Sequence, residues 1–334
     1  MRKQILALMD SEEPYAIRFM EHVNRKKTTP FEVHAFTSRE RLEEYVSSHH
    51  VEILLISEHD LEETFEYPAS QVIILTDHSE GNALYPNVCK YQASSQVMKQ
   101  VIEVYGRKAD SQVPSKDAVI KPPTKIIGVF SPCSRCGKTS FALSLGQCLS
   151  AKKASLYLNF EVASGLKSLL KRDWPRDLSD IIYYIRRGDR NLTARLLPLV
   201  QDLGTMSYVP PCPSPSEIYS VEFDEWHRLF ESLRRDSSYE ILILDLGMLP
   251  LFMPEILEEC DLIYFPLAED ETARAKLEDF RFLLSEHEVS IDPRVRHPQI
   301  PEASAGDSMR SWAEQLLYGP VGNCAKEWIR RDQL

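Results

Sequence analysis

Residues 125–151, Lys-Ile-Ile-Gly-Val-Phe-Ser-Pro-Cys-Ser-Arg-Cys-Gly-Lys-Thr-Ser-Phe-Ala-Leu-Ser-Leu-Gly-Gln-Cys-Leu-Ser-Ala, constrain the fold more than any other stretch. Ile126 to Phe130 is an apolar run of strand length, and a turn follows from Ser131 to Cys136. Gly137-Lys138-Thr139 then opens a segment whose apolar residues Phe141, Ala142, Leu145, Cys148 and Leu149 fall at helical spacing. A helix that starts straight after such a turn offers free backbone N–H groups and the positive end of its dipole to an anion. Strand, turn, Gly-Lys-Thr and helix in that order predict a phosphate-binding loop. In it Lys138 reaches the outer phosphates and the Thr139 hydroxyl lies on Mg²⁺. The candidate nucleotide-binding residues are Ser134, Arg135, Cys136, Gly137, Lys138, Thr139 and Ser140.

The loop is poor in glycine. Pro132 and Cys133 stand in the region where a phosphate loop has its first glycine, and only Gly137 remains. An exposed lysine on a solvated turn is the alternative reading. Cys133 and Cys136 also form a Cys-x-x-Cys at a strand-to-helix turn, where a redox pair or half of a zinc site can sit. No second pair completes a zinc site, since Cys89, Cys148, Cys212, Cys260 and Cys324 are scattered singly. Small side chains lining the loop are the simpler reading.

Two carboxylates are candidates to work with the loop. The strand-like Glu240-Ile-Leu-Ile-Leu-Asp245-Leu-Gly247 ends in an acid and then a glycine. Ligands gather at the carboxyl edge of a parallel sheet, so Asp245 is the candidate Mg²⁺ acid, with Thr139 as the other metal-side residue. A helix cap or a solvated strand end is the plainer role for it. Ser155-Leu-Tyr-Leu-Asn159-Phe-Glu161 ends a strand taken to lie beside the loop strand. From there Glu161 could orient an attacking water, and Asp245 and Glu161 are the candidate catalytic pair. A surface glutamate is the competing reading.

At 334 residues the chain is long enough for two domains, and 43% hydrophobic with 27% charged residues describes a globular protein. The net charge of −11 supplies no excess of cations to displace counterions, so nucleic acid is not an expected partner. An odd set of seven cysteines without framework spacing suggests a reducing cytoplasm. The start of the chain reads as a strand rather than a signal peptide, and no apolar run approaches the ~20 residues of a membrane span.

Strand-like runs at 4–9, 31–36, 51–56, 71–75 and 87–91 alternate with helical stretches, clearest at 14–24, 38–48 and 95–105. They predict a doubly wound α/β domain over 1–106 with a parallel sheet covered on both faces. Residues 107–123 carry three prolines and no periodicity and read as a linker. A second α/β domain is expected over 124–334, with strands at 125–130, 155–160, 205–209, 241–246 and 262–267. Its helices are expected at 178–187, 192–201, 223–236, 271–285 and 311–317. The segment 286–310 is weakly patterned, and the tail 325–334 reads as an ordinary terminal helix, although Trp328, Ile329, Arg330 and Arg331 could touch a membrane surface.

The first domain resembles the receiver domains of bacterial response regulators. Asp10, Thr76 and Lys90 roughly match three of that family's positions, while Ser57 stands at the acceptor aspartate and Glu58 and Asp60 follow it. The resemblance implies a flavodoxin-like pseudo-receiver that is not phosphorylated on aspartate and serves as a docking surface. A doubly wound domain without any site fits the pattern equally. The second domain resembles the MinD/ParA group of P-loop ATPases. The order of its motifs carries this: Ser131-Pro-Cys-Ser-Arg-Cys-Gly-Lys-Thr139, Leu158-Asn-Phe-Glu161, the helix from Leu178, Tyr208-Val-Pro-Pro, Ile243-Leu-Asp-Leu-Gly247 and Cys260-Asp-Leu-Ile-Tyr-Phe-Pro. The chain as a whole resembles the CpaE/TadZ proteins of Flp/tad-type pilus assembly, over most of residues 1–285.

The resemblance implies an ATP-binding, Mg²⁺-dependent localisation or assembly factor that forms a homodimer and works with pilus or secretion machinery. It implies a cytoplasmic chain that reaches the inner face of the membrane through partners, with membrane contact at most peripheral. The family's loop has a lysine that crosses the dimer to the partner's phosphates. Cys133 stands there, Ser134 and Arg135 replace two glycines, and Asn159 with Glu161 represents an aspartate pair. These departures imply at most a weak ATPase. An active positioning ATPase of the MinD or ParA kind, a signalling adaptor with a degenerate nucleotide site, and a thiol redox protein are the alternatives.

Overall fold

Short aliphatic runs separated by amphipathic segments become two parallel sheets, one in each half of the chain. A computed structural model of the protein describes residues 4–25, 29–62, 67–77, 85–108, 123–161, 163–189, 192–247, 253–302 and 311–334. The chain divides into two units, Met1–Lys121 and Pro122–Leu334. Most of the expected linker, 109–122, lies outside the described residues, and its first two residues belong to a helix.

The first unit runs β1 (Gln4–Met9), α1 (Glu13–Arg25), β2 (Phe31–Phe36), α2 (Arg39–Ser48), β3 (Val51–Ser57), β4 (Ala69–Thr76), β5 (Asn87–Cys89) and α3 (Ser94–Lys108). All its strand pairs are parallel, in the order β2-β1-β3-β4-β5. That is the flavodoxin-like doubly wound order. Leu6, Ala7 and Leu8, then Ile53, Leu54, Leu55 and Ile56, are buried without alternation. Such runs belong to strands covered on both faces. Helix α1 turns Ala16, Phe19 and Val23 inward at helical spacing.

The second unit opens with β6 (Lys125–Val129), α4 (Lys138–Ser150), β7 (Ser155–Asn159), α5 (Leu166–Leu170), α6 (Leu178–Arg186), α7 (Leu192–Leu196), β8 (Gln201–Leu203) and β9 (Met206–Tyr208). It continues with α8 (Pro215–Tyr219), α9 (Phe223–Asp236), β10 (Ile241–Asp245), α10 (Met253–Glu259), β11 (Leu262–Tyr264), α11 (Glu271–Glu286), β12 (Val295–Arg296), α12 (Trp312–Tyr318) and α13 (Pro320–Arg331). The sheet order is β12-β11-β6-β10-β7-β9-β8, parallel throughout except for the β8–β9 hairpin.

Three expectations need correction. The helix expected over 192–201 stops at Leu196, and a 3₁₀ turn over Leu197–Leu199 leads into β8. Pro198 has no N–H for a continuing helix and its ring would collide with the preceding turn. Gly204, at φ 63°, then reverses the chain in a two-residue hairpin turn. The weakly patterned segment 286–310 supplies β12, whose two residues are too few to show a period. Finally, β7 does not adjoin β6: β10 lies between them.

The C-terminal residues belong to the core. Gly319 ends α12, and Pro320 sits at the first turn of α13, where its missing N–H costs nothing. Val321 and Ala325 are buried. Trp328 packs edge-on to Tyr264 at 5.8 Å, and the Tyr264 hydroxyl donates to Asp332 at 2.7 Å. Among the described residues no helix is long and apolar enough to cross a membrane.

Candidate nucleotide site at the carboxyl edge of the second sheet

Strand β6 delivers the loop 131–137 to the start of α4. Gly137 caps that helix at φ 76°, in the left-handed region. A Cβ on it would also lie 2.7 Å from Ile300 Cγ2, so glycine is demanded by both backbone and packing. Arg135 occupies the left-handed region too, at φ 61°, and is exposed with Ser134 at the crest of the loop. Ser131 Oγ accepts from the Cys133 N–H at 3.1 Å. The Cys133 side chain is buried with its sulfur 4.0 Å from the Ala273 carbonyl oxygen at the start of α11. Burial, with the neighbouring Cys136, pushes that thiol above its ordinary pKa, which keeps it protonated and a poor nucleophile. The Cys136 sulfur bonds the Cys133 carbonyl at 3.4 Å. Helix α4 is held on its far side by Ser144 Oγ donating to the Leu316 carbonyl at 3.2 Å and by Gln147 donating to the Ala313 carbonyl at 3.3 Å.

Lys138 enters at the first helical position. Its ammonium is ion-paired with Glu161 and donates to the Leu246 carbonyl at 2.5 Å. Its side chain keeps 11% of its surface exposed, and Glu161 keeps 27%. The two strand-end segments approach closely: a Cβ at Gly247 would lie 2.7 Å from the Phe160 carbonyl oxygen and 3.1 Å from Glu161 Oε2. Glycine at 247 is therefore what lets the Glu161 carboxylate reach Lys138, although β7 is two strands from β6.

Asp245, at the end of β10, is fully buried. Its Oδ2 accepts from the Tyr157 hydroxyl at 2.8 Å and from Asn159 Nδ2 at 3.0 Å. Asn159 Nδ2 also donates to the Tyr157 hydroxyl oxygen at 2.8 Å, and its Oδ1 accepts from the Glu161 N–H at 3.0 Å. Asp245 Oδ1 has no hydrogen bond of normal geometry among the described residues. Burial raises the carboxyl's pKa, while the charge of Lys138, the Tyr157 hydroxyl and the nearby Thr139 side chain hold it down.

Gly137, Lys138, Thr139, Glu161 and Asp245 thus converge, while Cys136 and Ser140 sit half-buried beside them. Ser134 and Arg135 stand apart as exposed loop residues. Tyr157 was not foreseen. The signal was a tyrosine two residues before Asn159 in an otherwise apolar strand, which places both on one face. The donor set suits a nucleotide with Mg²⁺. A hydroxyl and a carboxylate are oxygen ligands of the kind that ion takes, the unpartnered buried oxygen of Asp245 lacks a donor or cation, and Lys138 at a helix start suits phosphate.

The first unit has its own cluster at the corresponding edge. Lys90 is buried beside Asp10, with Nζ 2.8 Å from Oδ2 and 3.1 Å from Oδ1, and 3.1 Å from Glu12 Oε2. Ser57 and Thr76 are buried at strand ends. Asp60 Oδ2 accepts from the Ser11 N–H at 2.8 Å, and His59 Nε2 lies 3.1 Å from Asp77 Oδ2. The Asp77 carboxylate raises the pKa of His59.

No family model matches the chain. No curated protein matches it either. Among solved structures it is similar to a ParA family ATPase from Chlorobium tepidum, with 18% identity and a TM-score of 0.44, over 60% of this chain and 81% of that one. It is similar to cobyrinic acid a,c-diamide synthase from Mycobacterium smegmatis with bound ADP and magnesium, with 15% identity and a TM-score of 0.45, over 63% of this chain and 94% of that one. A putative plasmid partition protein from Borrelia burgdorferi bound to AMPPNP aligns with 14% identity and a TM-score of 0.44, over 62% of this chain and 100% of that one.

Proposed function

We propose that the second unit binds ATP with Mg²⁺ and that the chain is a nucleotide-dependent localisation or assembly factor of the CpaE/TadZ kind, with slow hydrolysis. The observation that carries the reading is Lys138 at the start of α4 beside a buried Asp245 with one unpartnered oxygen. Lys138, the loop N–H groups and Ser140 would hold phosphate, and Thr139 with Asp245 would hold the metal. Bound Mg²⁺ supplies charge neutralisation on the phosphates. Glu161 would turn from Lys138 toward solvent when phosphate takes its place.

Slow hydrolysis is supported by Cys133. Where related loops send a lysine across a dimer, this chain has a buried, protonated thiol directed at Ala273. Phosphoryl transfer relies on placed positive charge, and one cross-subunit cation contributes about 10³-fold or more in rate. Bound ATP would then persist and hold a homodimer together by mass action. The first unit would act as a pseudo-receiver that docks pilus or secretion machinery and brings the chain to the inner face of the membrane, because Ser57 offers no carboxylate to phosphorylate.

Calorimetry with ATP and Mg²⁺, light scattering and a phosphate-release assay test these points together. The expected result is saturable binding, a doubled mass and slow turnover. Absence of binding removes the nucleotide site, a monomer at saturating ATP removes the dimer, and rapid turnover removes the slow-hydrolysis reading.

A further inference from the structure

Asp245 is unevenly held. Both hydrogen bonds to it come from β7, and both fall on the same oxygen, Oδ2. Oδ1 receives none of normal geometry from the described residues, and the interaction of the Thr139 side chain with the carboxylate comes from the loop side. The strand order places β10 between β7 on one side and β6 on the other, and β6 leads into the loop that carries Lys138 and Thr139. The carboxylate is therefore gripped from the side away from the loop. A carboxylate rotor fixed by one oxygen leaves the other on the loop side. An unpaired buried oxygen is destabilising, and a cation at that place would relieve the cost.

We propose that Tyr157 is the positioning residue for the metal side of this site: its hydroxyl, shared with Asn159, locks Asp245 so that the free oxygen is presented to Mg²⁺ bound with the nucleotide. This rests on the nucleotide reading above. The geometry suits the task. Tyr157 and Asn159 lie two residues apart on one face of β7, opposite Ile243 and Asp245 in register. Tyr157 has no exposed surface and Asn159 has 1%. The tyrosine is fully buried in the core cluster that also holds Phe141, Leu145 and Ile243, so the hydroxyl has a fixed origin. Asn159 spends its amide on Tyr157 and Asp245 and its carbonyl on the Glu161 N–H, so each of its groups has a partner. A polar network whose anchoring members are all satisfied is rigid. Groups behind a metal ligand set its orientation, and removing one typically weakens metal affinity ~10–100-fold.

The test uses the full chain and two titrations of ATP, one in EDTA and one over a range of Mg²⁺. Tyr157→Phe keeps the ring and removes only the hydroxyl. Its expected effect is a roughly tenfold rise in the Mg²⁺ concentration that half-saturates the tightening of ATP, with metal-free affinity unchanged. In an Asp245→Asn background the same substitution should add no further shift, because the group that Tyr157 positions no longer bears charge. Equal weakening in both titrations would mean a structural role and overturn the proposal, as would an unchanged Mg²⁺ midpoint. Asn159→Ala removes the other donor and leaves the tyrosine packing intact. It should move the midpoint in the same direction, and it decides the matter by the same criterion if Tyr157→Phe fails to fold. A wild-type chain that binds ATP in neither titration overturns the nucleotide reading and this inference together. Binding with no dependence on Mg²⁺ overturns this inference alone.

Discussion

Each unit carries a lysine and an aspartate at the carboxyl edge of a parallel sheet, and the two pairs are built to opposite ends. Lys90 and Asp10 are each 1% exposed as side chains, face each other directly and take Glu12 as a third member. The Lys90 ammonium also lies 4.7 Å from the centre of the Tyr15 ring. In the second unit Lys138 is ion-paired with Glu161 rather than with Asp245. Its partner Glu161 is partly solvated, and Asp245 keeps an unpartnered oxygen. A buried charge pair that closes on itself fixes a structure and has nothing left to offer a ligand. A lysine with a replaceable partner, beside a carboxylate with a free oxygen, is an open site. Asp10 Oδ2 also has no hydrogen bond of normal geometry, but it lies 2.8 Å from the Lys90 ammonium, whereas no ion pair reaches Asp245 among the described residues. Fold and residue type are shared, and that difference separates a closed edge from an open one.

The largest effect expected is on stability. Lys90→Met leaves Asp10 buried and uncompensated, which should cost the first unit about 3–5 kcal/mol in denaturant unfolding and leave ATP affinity unchanged. Lys138→Ala should do the reverse. Losing charge-assisted bonds to phosphate is worth about 2–3 kcal/mol, or roughly 10²-fold in Kd by calorimetry, with little change in unfolding. If Lys138→Ala destabilises as much as Lys90→Met, the contrast between the sites fails.

Glu161→Gln sharpens the comparison. In the nucleotide-free chain Glu161 competes for Lys138, so its neutral replacement should tighten ATP about two- to fivefold, the scale of a partly exposed ion pair. Weaker binding would assign Glu161 to the bound state instead.

The smallest effect is a pH dependence. Burial lowers the pKa of Lys90, but Asp10 and Glu12 outweigh it and leave it above 10.5. Burial, followed by Asp10, raises Tyr15 from 10.0 to about 12. Groups with raised folded-state values stabilise fully below their unfolded values and lose that contribution as pH climbs through the folded ones. The first unit should therefore lose stability from about pH 10 upward through 12. Lys90→Met should flatten part of that slope in melts taken across the window.

Much of this arrangement was legible in the sequence, for physical reasons that differ by element. The runs ending at Met9, Ser57 and Asp245 are continuous and apolar, and a strand covered on both faces has that composition wherever it occurs. The Gly137-Lys138-Thr139 start was readable because it joins a strand to a helix. The placing of Glu161 was harder to read. Sequence order suggested that β7 adjoins β6, whereas β10 inserts between them, and only the close approach at Gly247 brings Glu161 to Lys138. Strand order depends on long-range pairing that local periodicity does not encode. Tyr157 escaped notice because a tyrosine in a buried strand is ordinarily core. Its hydroxyl has a role only once Asp245 arrives from 88 positions along the chain. The two residues of β12 and the early end of α7 lie below the length at which a period can be seen.

Hydrogen–deuterium exchange of the full chain with and without ATP and Mg²⁺ tests the contrast most directly, since it reads both sheet edges in one sample. The account predicts slowed exchange over 131–141, 157–161 and 245–247. It predicts no change at 10–12, 57–60 and 89–91. Protection at the first unit's edge, or an unchanged loop at saturating nucleotide, would contradict it.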